Sequence, residues 1–181
     1  MNRFESELGR ARKEYEKALD IKEIKKSDEN KKFVNFFFER SENSLLTADI
    51  LYQISHNPNE KSKLGIDESY DCYAWVIVTS YYSMFYMASA LIAKKGIKCG
   101  NIDVHKNVKN GFLRLYIENS YLERKLAIDY NQCKEIAQDL IQERSKRSKY
   151  QYDIGKSALA RDAEISLKRA KNFFEKTRKV L

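Results

Sequence analysis

From Cys72 to Ala93 the chain reads CYAWVIVTSYYSMFYMASALIA, without one charged side chain, in a protein of 181 residues of which 33% are charged. About 20 apolar residues can cross a bilayer, so length alone admits a membrane span. The hydroxyls of Thr79, Ser80, Tyr81, Tyr82, Ser83, Tyr86 and Ser89 weigh against one, because they fall on most sides of a helix and dilute the hydropathy that decides insertion. A helix apolar nearly all round is instead buried among other helices. This stretch is therefore expected to be the central helix of a soluble domain, not a membrane segment.

The rest of the chain has to wrap that helix. One proline and six glycines leave few helix breakers, and alternation of the strand kind is hard to find. The fold class expected is all-α, an antiparallel bundle of about five to six helices, in one domain long enough to bury a core without staples. Residues 1–27 read as an N-terminal extension, helical and docked or partly frayed, with Phe4, Leu8, Ala11, Tyr15, Ala18 and Leu19 in a thin apolar stripe. Residues 28–181 read as the bundle.

Within it, Ser27 or Asp28 is expected to cap a long helix carrying Phe33, Phe36, Phe37, Leu45, Leu46, Ala48, Leu51, Tyr52 and Ile54, which packs on the central one. HNPNEKSKLGI, from His56 to Ile66, holds the only proline and reads as a loop. Asp67 reads as the cap of the central helix, and Lys94, Lys95 and Gly96 as its stop signal. Asp103 and Ser120 are candidate caps for the next two helices. Gly155 is expected to end the second of these, and Ser157 to open the last helix.

The charge balance is +8, which suits an anionic partner such as RNA as well as simple solubility. Cys72, Cys99 and Cys133 are odd in number and widely spaced, and no hydrophobic leader follows Met1, so a reducing cytoplasm without disulfides is expected. The two histidines, His56 and His105, are far apart and no cysteines pair, so no zinc site is expected and no cofactor is indicated. No phosphate loop and no GxSxG elbow occur.

What carries chemistry is the segment from Arg144 to Asp153. Arg144, Lys146, Arg147 and Lys149 are followed at once by Tyr150 and Tyr152. Cations beside aromatics suit RNA, where they meet phosphates while rings stack on exposed bases. A solvated face at a helix end is the plainer reading of the same residues.

TSYYSMFYMASALIAKKGI, followed by VHKNV and GF and later by RSKYQYD, resembles the HEPN domains (higher eukaryote and prokaryote nucleotide-binding), above all small prokaryotic members, over roughly Phe36 to Leu181. The resemblance implies a helical bundle that homodimerises. Its ribonuclease members use an arginine followed after four to six residues by a histidine, often as toxins or defence nucleases beside a nucleotidyltransferase antitoxin. Here Arg147 is followed after four residues by Tyr152, and Arg144 after five by Tyr150, so tyrosine stands where histidine belongs. Ser148 replaces the usual polar neighbour. Tyrosine titrates near 10 and is a poor base at pH 7, whereas imidazole near 6.5 is a good one.

His105, which matches a histidine carried by similar sequences, is thus the candidate that could restore the chemistry. The sites expected are Arg147, Tyr152 and His105 for catalysis, with Arg144, Lys146, Lys149 and Tyr150 binding RNA or a nucleotide. A non-catalytic binding module and a purely structural interaction protein are the competing readings. Tyr150 or Tyr152 as an acceptor of nucleotide transfer is a further one.

Overall fold

The computed structural model describes residues 3–146 and 154–181. The protein is all-α apart from one small ribbon. Seven α-helices occur among the described residues: α1 (Arg3–Asp20), α2 (Val34–His56), α3 (Pro58–Lys63), α4 (Tyr73–Lys94), α5 (Val104–Phe112), α6 (Arg124–Lys146) and α7 (Ile154–Thr177). A 3-10 helix at Asp28–Phe33 leads into α2, and a π-helical turn at Leu113–Ile117 extends α5.

α4 is the organising helix, with α2, α5, α6 and α7 packed around it. Its most apolar window is 83% buried inside the bundle, so the hydrophobicity that might have met lipid is used on neighbouring helices. Val76, Ile77, Met84, Met87 and Leu91 have no exposed surface. α2 reaches α4 through small residues at heptad intervals, Ser41, Ala48 and Ser55, all buried. Ser41 Oγ donates to the Ser83 carbonyl at 2.8 Å across that seam. The small seam turns larger apolar residues of α2 outward: Phe36, Leu46 and Ile50 are each about half exposed, although for Phe36 and Leu46 the spacing alone suggested core positions.

The first helix docks. Leu8, Ala11, Tyr15 and Ala18 join the same hydrophobic cluster as α4, and α1 lies along α5 and the π-helical turn. On the opposite side of the bundle, Phe38 of α2 meets Phe174 of α7 at 5.6 Å between ring centres.

Several local expectations need correction. His56–Ile66 contains α3, because Pro58 stands at the first helical position, where its missing N–H costs nothing, and Asn57 Oδ1 caps the Asn59 amide at 3.0 Å. Asp67 does not cap α4. It accepts from the Ser69 amide at 2.8 Å in a local turn, and α4 starts only after Cys72. Ser27 caps the 3-10 helix and not α2 itself. Asp103 precedes α5 with left-handed backbone, φ 48°, and offers it no side-chain cap. Ser120, φ 58°, turns the chain ahead of α6, which begins at Arg124. Gly155 and Ser157 lie inside the start of α7, so neither marks a helix end.

The ribbon was not foreseen. β1 (Ile24–Lys26) and β2 (Ile97–Cys99) pair antiparallel, with Lys25 opposite Lys98. Gly96 makes the junction with α4. Its φ is +76°, and a Cβ there would sit 3.0 Å from the Ser27 carbonyl oxygen, whose own amide donates to Gly96 O at 2.8 Å. Gly96→Ala therefore combines left-handed strain with a backbone clash, and a loss of about 1–3 kcal/mol is expected in urea unfolding. Gly65→Ala, ahead of α4, is also left-handed at φ +65° but has no neighbour within 4 Å and should cost less.

Candidate functional site

His105 sits in the first turn of α5, where the chain enters from the ribbon. Its Nδ1 shares a 2.7 Å hydrogen bond with the hydroxyl of Tyr81, on α4. Phe85, one turn further along α4, packs on the imidazole with its ring tilted by 35° at 4.3 Å between ring centres, and Tyr82 meets it edge-on at 5.9 Å. Behind this layer lies Tyr130 of α6, wholly buried, with its ring 5.9 Å from that of Tyr81. The Tyr130 hydroxyl lies close to the Tyr81 phenol without forming a hydrogen bond of good geometry.

These surroundings set protonation. Burial, and then the ammonium of Lys134, lower the His105 pKa, so the ring is neutral at pH 7. Burial pushes the Tyr81 phenol far above its usual range, so it stays a neutral partner and never a phenolate. When Nδ1 carries the ring proton and donates it to Tyr81, Nε2 keeps a lone pair. That tautomer is the one a general base requires.

Lys134 belongs to α6, one turn beyond Tyr130, and faces a cleft of about 780 Å³ between α1, α5 and α6. The cleft is lined by the cations Arg10, Lys106, Lys109 and Lys134 and by Glu7, Glu14 and Glu135. Its polar groups are largely tied to one another. Glu7 accepts from Lys109 at 2.8 Å and Asn131 at 2.7 Å. Glu14 accepts from Asn110 at 3.0 Å and forms ion pairs with Lys106 and Arg10, each at 3.2 Å. Burial would raise the Glu14 pKa, but these bonds from Asn110, Lys106 and Arg10 outweigh it and hold the carboxyl below its usual range.

Of those four cations, only Lys134 forms no ion pair among the described residues. It is half-buried, and its pKa is lowered by burial and then by the Lys109 ammonium, against a partial offset from Glu135 and Glu7. A half-desolvated cation that nearby carboxylates offset only in part is a place where an incoming anion gains more than it would at the surface. The chemistry available is thus a neutral imidazole and an unpaired ammonium close enough to influence its titration, beside a cleft that admits a polar ligand.

The other expected site residues fare differently. Arg144 and Lys146 fall on the last turn of the α6 backbone. Arg147, Lys149, Tyr150 and Tyr152 lie outside the described residues. His105 is thus the one expected catalytic residue with described surroundings. Lys134, Lys109 and Glu7 were missed. A signal existed, since His105 and Lys109 share one helix face at i, i+4, as do Tyr130 and Lys134, but nothing in the spacing joined the two faces.

Among the described residues no cluster of histidine, cysteine and carboxylate side chains could hold a metal ion. Burial pushes the thiols of Cys99 and Cys133 up to about 12 and about 11, so neither is a nucleophile at neutral pH.

The fold is an all-α bundle that carries His105 in a half-buried aromatic setting and, between α1, α5 and α6, a charged cleft lined by Lys134. No protein family, no curated protein and no solved structure matches the chain.

Proposed function

We propose that this protein acts on RNA as a HEPN-like helical bundle of the toxin or defence-ribonuclease kind, with His105 and Lys134 at the reacting phosphodiester. The observation that carries this reading is the neutral His105, braced on Tyr81, whose titration is lowered by Lys134, an ammonium with no ion pair among the described residues. In this scheme His105 Nε2 takes the proton of a ribose 2′-hydroxyl as its oxygen attacks phosphorus. Lys134 stabilises the charged phosphorane, the bond to the 5′ oxygen breaks, and that oxygen leaves as an alcohol with a proton from solvent. The products are a 2′,3′-cyclic phosphate and a 5′-hydroxyl end. No metal takes part.

Arg144, Lys146, Arg147 and Lys149 supply further phosphate contacts in this reading, in a cytoplasmic homodimer whose activity a nucleotidyltransferase antitoxin restrains. Tyr150 and Tyr152 are the residues such a partner would modify. The second reading, a binding module without catalysis, draws on a specific observation: His105 is half-buried against Phe85 and already bonded through one nitrogen, which leaves only the other for a substrate.

Incubation with an end-labelled single-stranded RNA separates the readings. Cleavage that slows about 10²-fold in Lys134→Ala is the expected result, the scale of losing one donor to a transition-state oxyanion. Binding without products at any enzyme concentration would leave the module, and failure to bind RNA at low salt would leave a protein-interaction bundle.

A further inference from the structure

On the ribbon, the β1–β2 register places Lys25 directly opposite Lys98, with both side chains exposed on the face away from the core, while Ile24 and Ile97 point inward. Like charges directly opposed across two antiparallel strands destabilise the pair. Neither lysine forms an ion pair among the described residues: of the two carboxylates that open the adjoining 3-10 helix, Asp28 is paired with Lys31 at 2.8 Å and Glu29 pairs with neither lysine.

A third cation gathers at the same place. Lys98 Nζ stands 4.7 Å from the centre of the Phe33 ring and Lys32 Nζ 5.5 Å from it, so two ammoniums share one aromatic ring. Lys32, too, is exposed and without a carboxylate partner among the described residues. The platform under these side chains is well fixed. Asn30 Nδ2 donates to Gly96 O at 3.0 Å and Lys25 O at 3.3 Å, and the Gly100 amide donates to Glu23 O at 2.7 Å. A fixed backbone sets where the lysine stems begin, so binding an anion there orders side chains and not the chain itself.

We propose that this ribbon is a contact surface for the phosphate backbone of RNA, with Lys25, Lys98 and Lys32 meeting successive phosphates and Phe33 lending its ring to the same surface. The inference rests on the RNA reading above, but it concerns binding at a surface separate from His105 and from the cleft lined by Lys134. A phosphate between Lys25 and Lys98 turns their mutual repulsion into two attractions, which accounts for a register that is unfavourable without a ligand.

The test is fluorescence anisotropy of a labelled single-stranded RNA against salt concentration, with the wild type, Lys25→Gln/Lys98→Gln and Lys134→Ala. Each lost phosphate contact on a single strand reduces the slope of log K against log salt by about 0.7, so the ribbon variant should lose about 1.4 from its slope. Its thermal midpoint should not fall, because a repulsive pair has been removed, and this separates the result from simple misfolding. If the wild type binds RNA and the ribbon variant keeps both affinity and slope, the ribbon inference is overturned while the RNA reading stands. If the wild type binds no RNA but binds vesicles rich in phosphatidylserine, and the ribbon variant does not, the anion is a lipid and both are overturned.

Discussion

Phe112→Ala should lower stability by about 3–5 kcal/mol, the range for emptying a buried aromatic site whose walls cannot collapse. Phe112 has no exposed surface and is held from three sides: Phe173 of α7 at 5.4 Å, Tyr130 of α6 at 6.1 Å and Tyr116 of the π-helical turn at 6.4 Å between ring centres. Each wall is anchored independently of Phe112. Tyr116, for example, donates its hydroxyl proton to the Leu91 carbonyl at 2.7 Å. The cavity would therefore persist. In a chain of this length the loss corresponds to a fall in Tm on the order of 10 °C. Phe112→Leu, which keeps most of the volume, should cost less than half as much. A calorimetric Tm within two or so degrees of wild type for the alanine variant would mean that the aromatic cluster is not the tightly packed centre described here.

For the proposed RNA cleavage, His105→Gln carries the largest expected effect. Glutamine can keep a hydrogen bond to Tyr81 but cannot take a proton at neutral pH, so cleavage should slow by about 10²–10⁴-fold while RNA affinity changes little. The pH profile supplies a second readout. Because burial and Lys134 lower the His105 pKa, the wild-type rate should be on its plateau at pH 7 and fall only below the ordinary imidazole value of about 6.5. The glutamine variant should lack that limb. Stability follows the same proton: the unfolded chain takes it up near 6.5 and the folded chain only at lower pH. His105 thus costs stability as pH falls through that window and is neutral above it. Thermal scans at about pH 7.5 and 5.5 should show a larger acid-induced drop for the wild type than for His105→Gln. Equal rates for the two proteins would remove His105 from the chemistry.

The long elements were legible because their physics is local. Absence of charge from Cys72 to Ala93 anticipated the body of α4 at Tyr73–Lys94, and Lys94, Lys95 and Gly96 gave its stop, whereas the start was misplaced at Asp67. What escaped depends on contacts distant in sequence or on dihedral angles that residue type only weakly constrains. Strands of three residues are too short to show alternation, and β1 is held by hydrogen bonds to a segment on the far side of α2 and α4. Pro58 reads as a breaker but acts as a helix starter once Asn57 caps it. Half-exposed Phe36 and Leu46 look like core residues until the small seam of α2 is known.

The same distinction runs through the site. His105 stood out through the resemblance to HEPN sequences, which carry a histidine at that point. Lys134 did not, since a lysine on a charged helix resembles every solvated lysine until α1 and α5 close over it.

The way four helices share α4 also determines how substitutions can be compared. A helix that serves as a common wall for its neighbours cannot melt alone, and α2, α5, α6 and α7 cannot leave it without exposing it. Damage near Gly96 and damage near Phe112, at different places along that wall, should accordingly appear in one cooperative transition, so that losses measured at either place are read on a single free-energy scale.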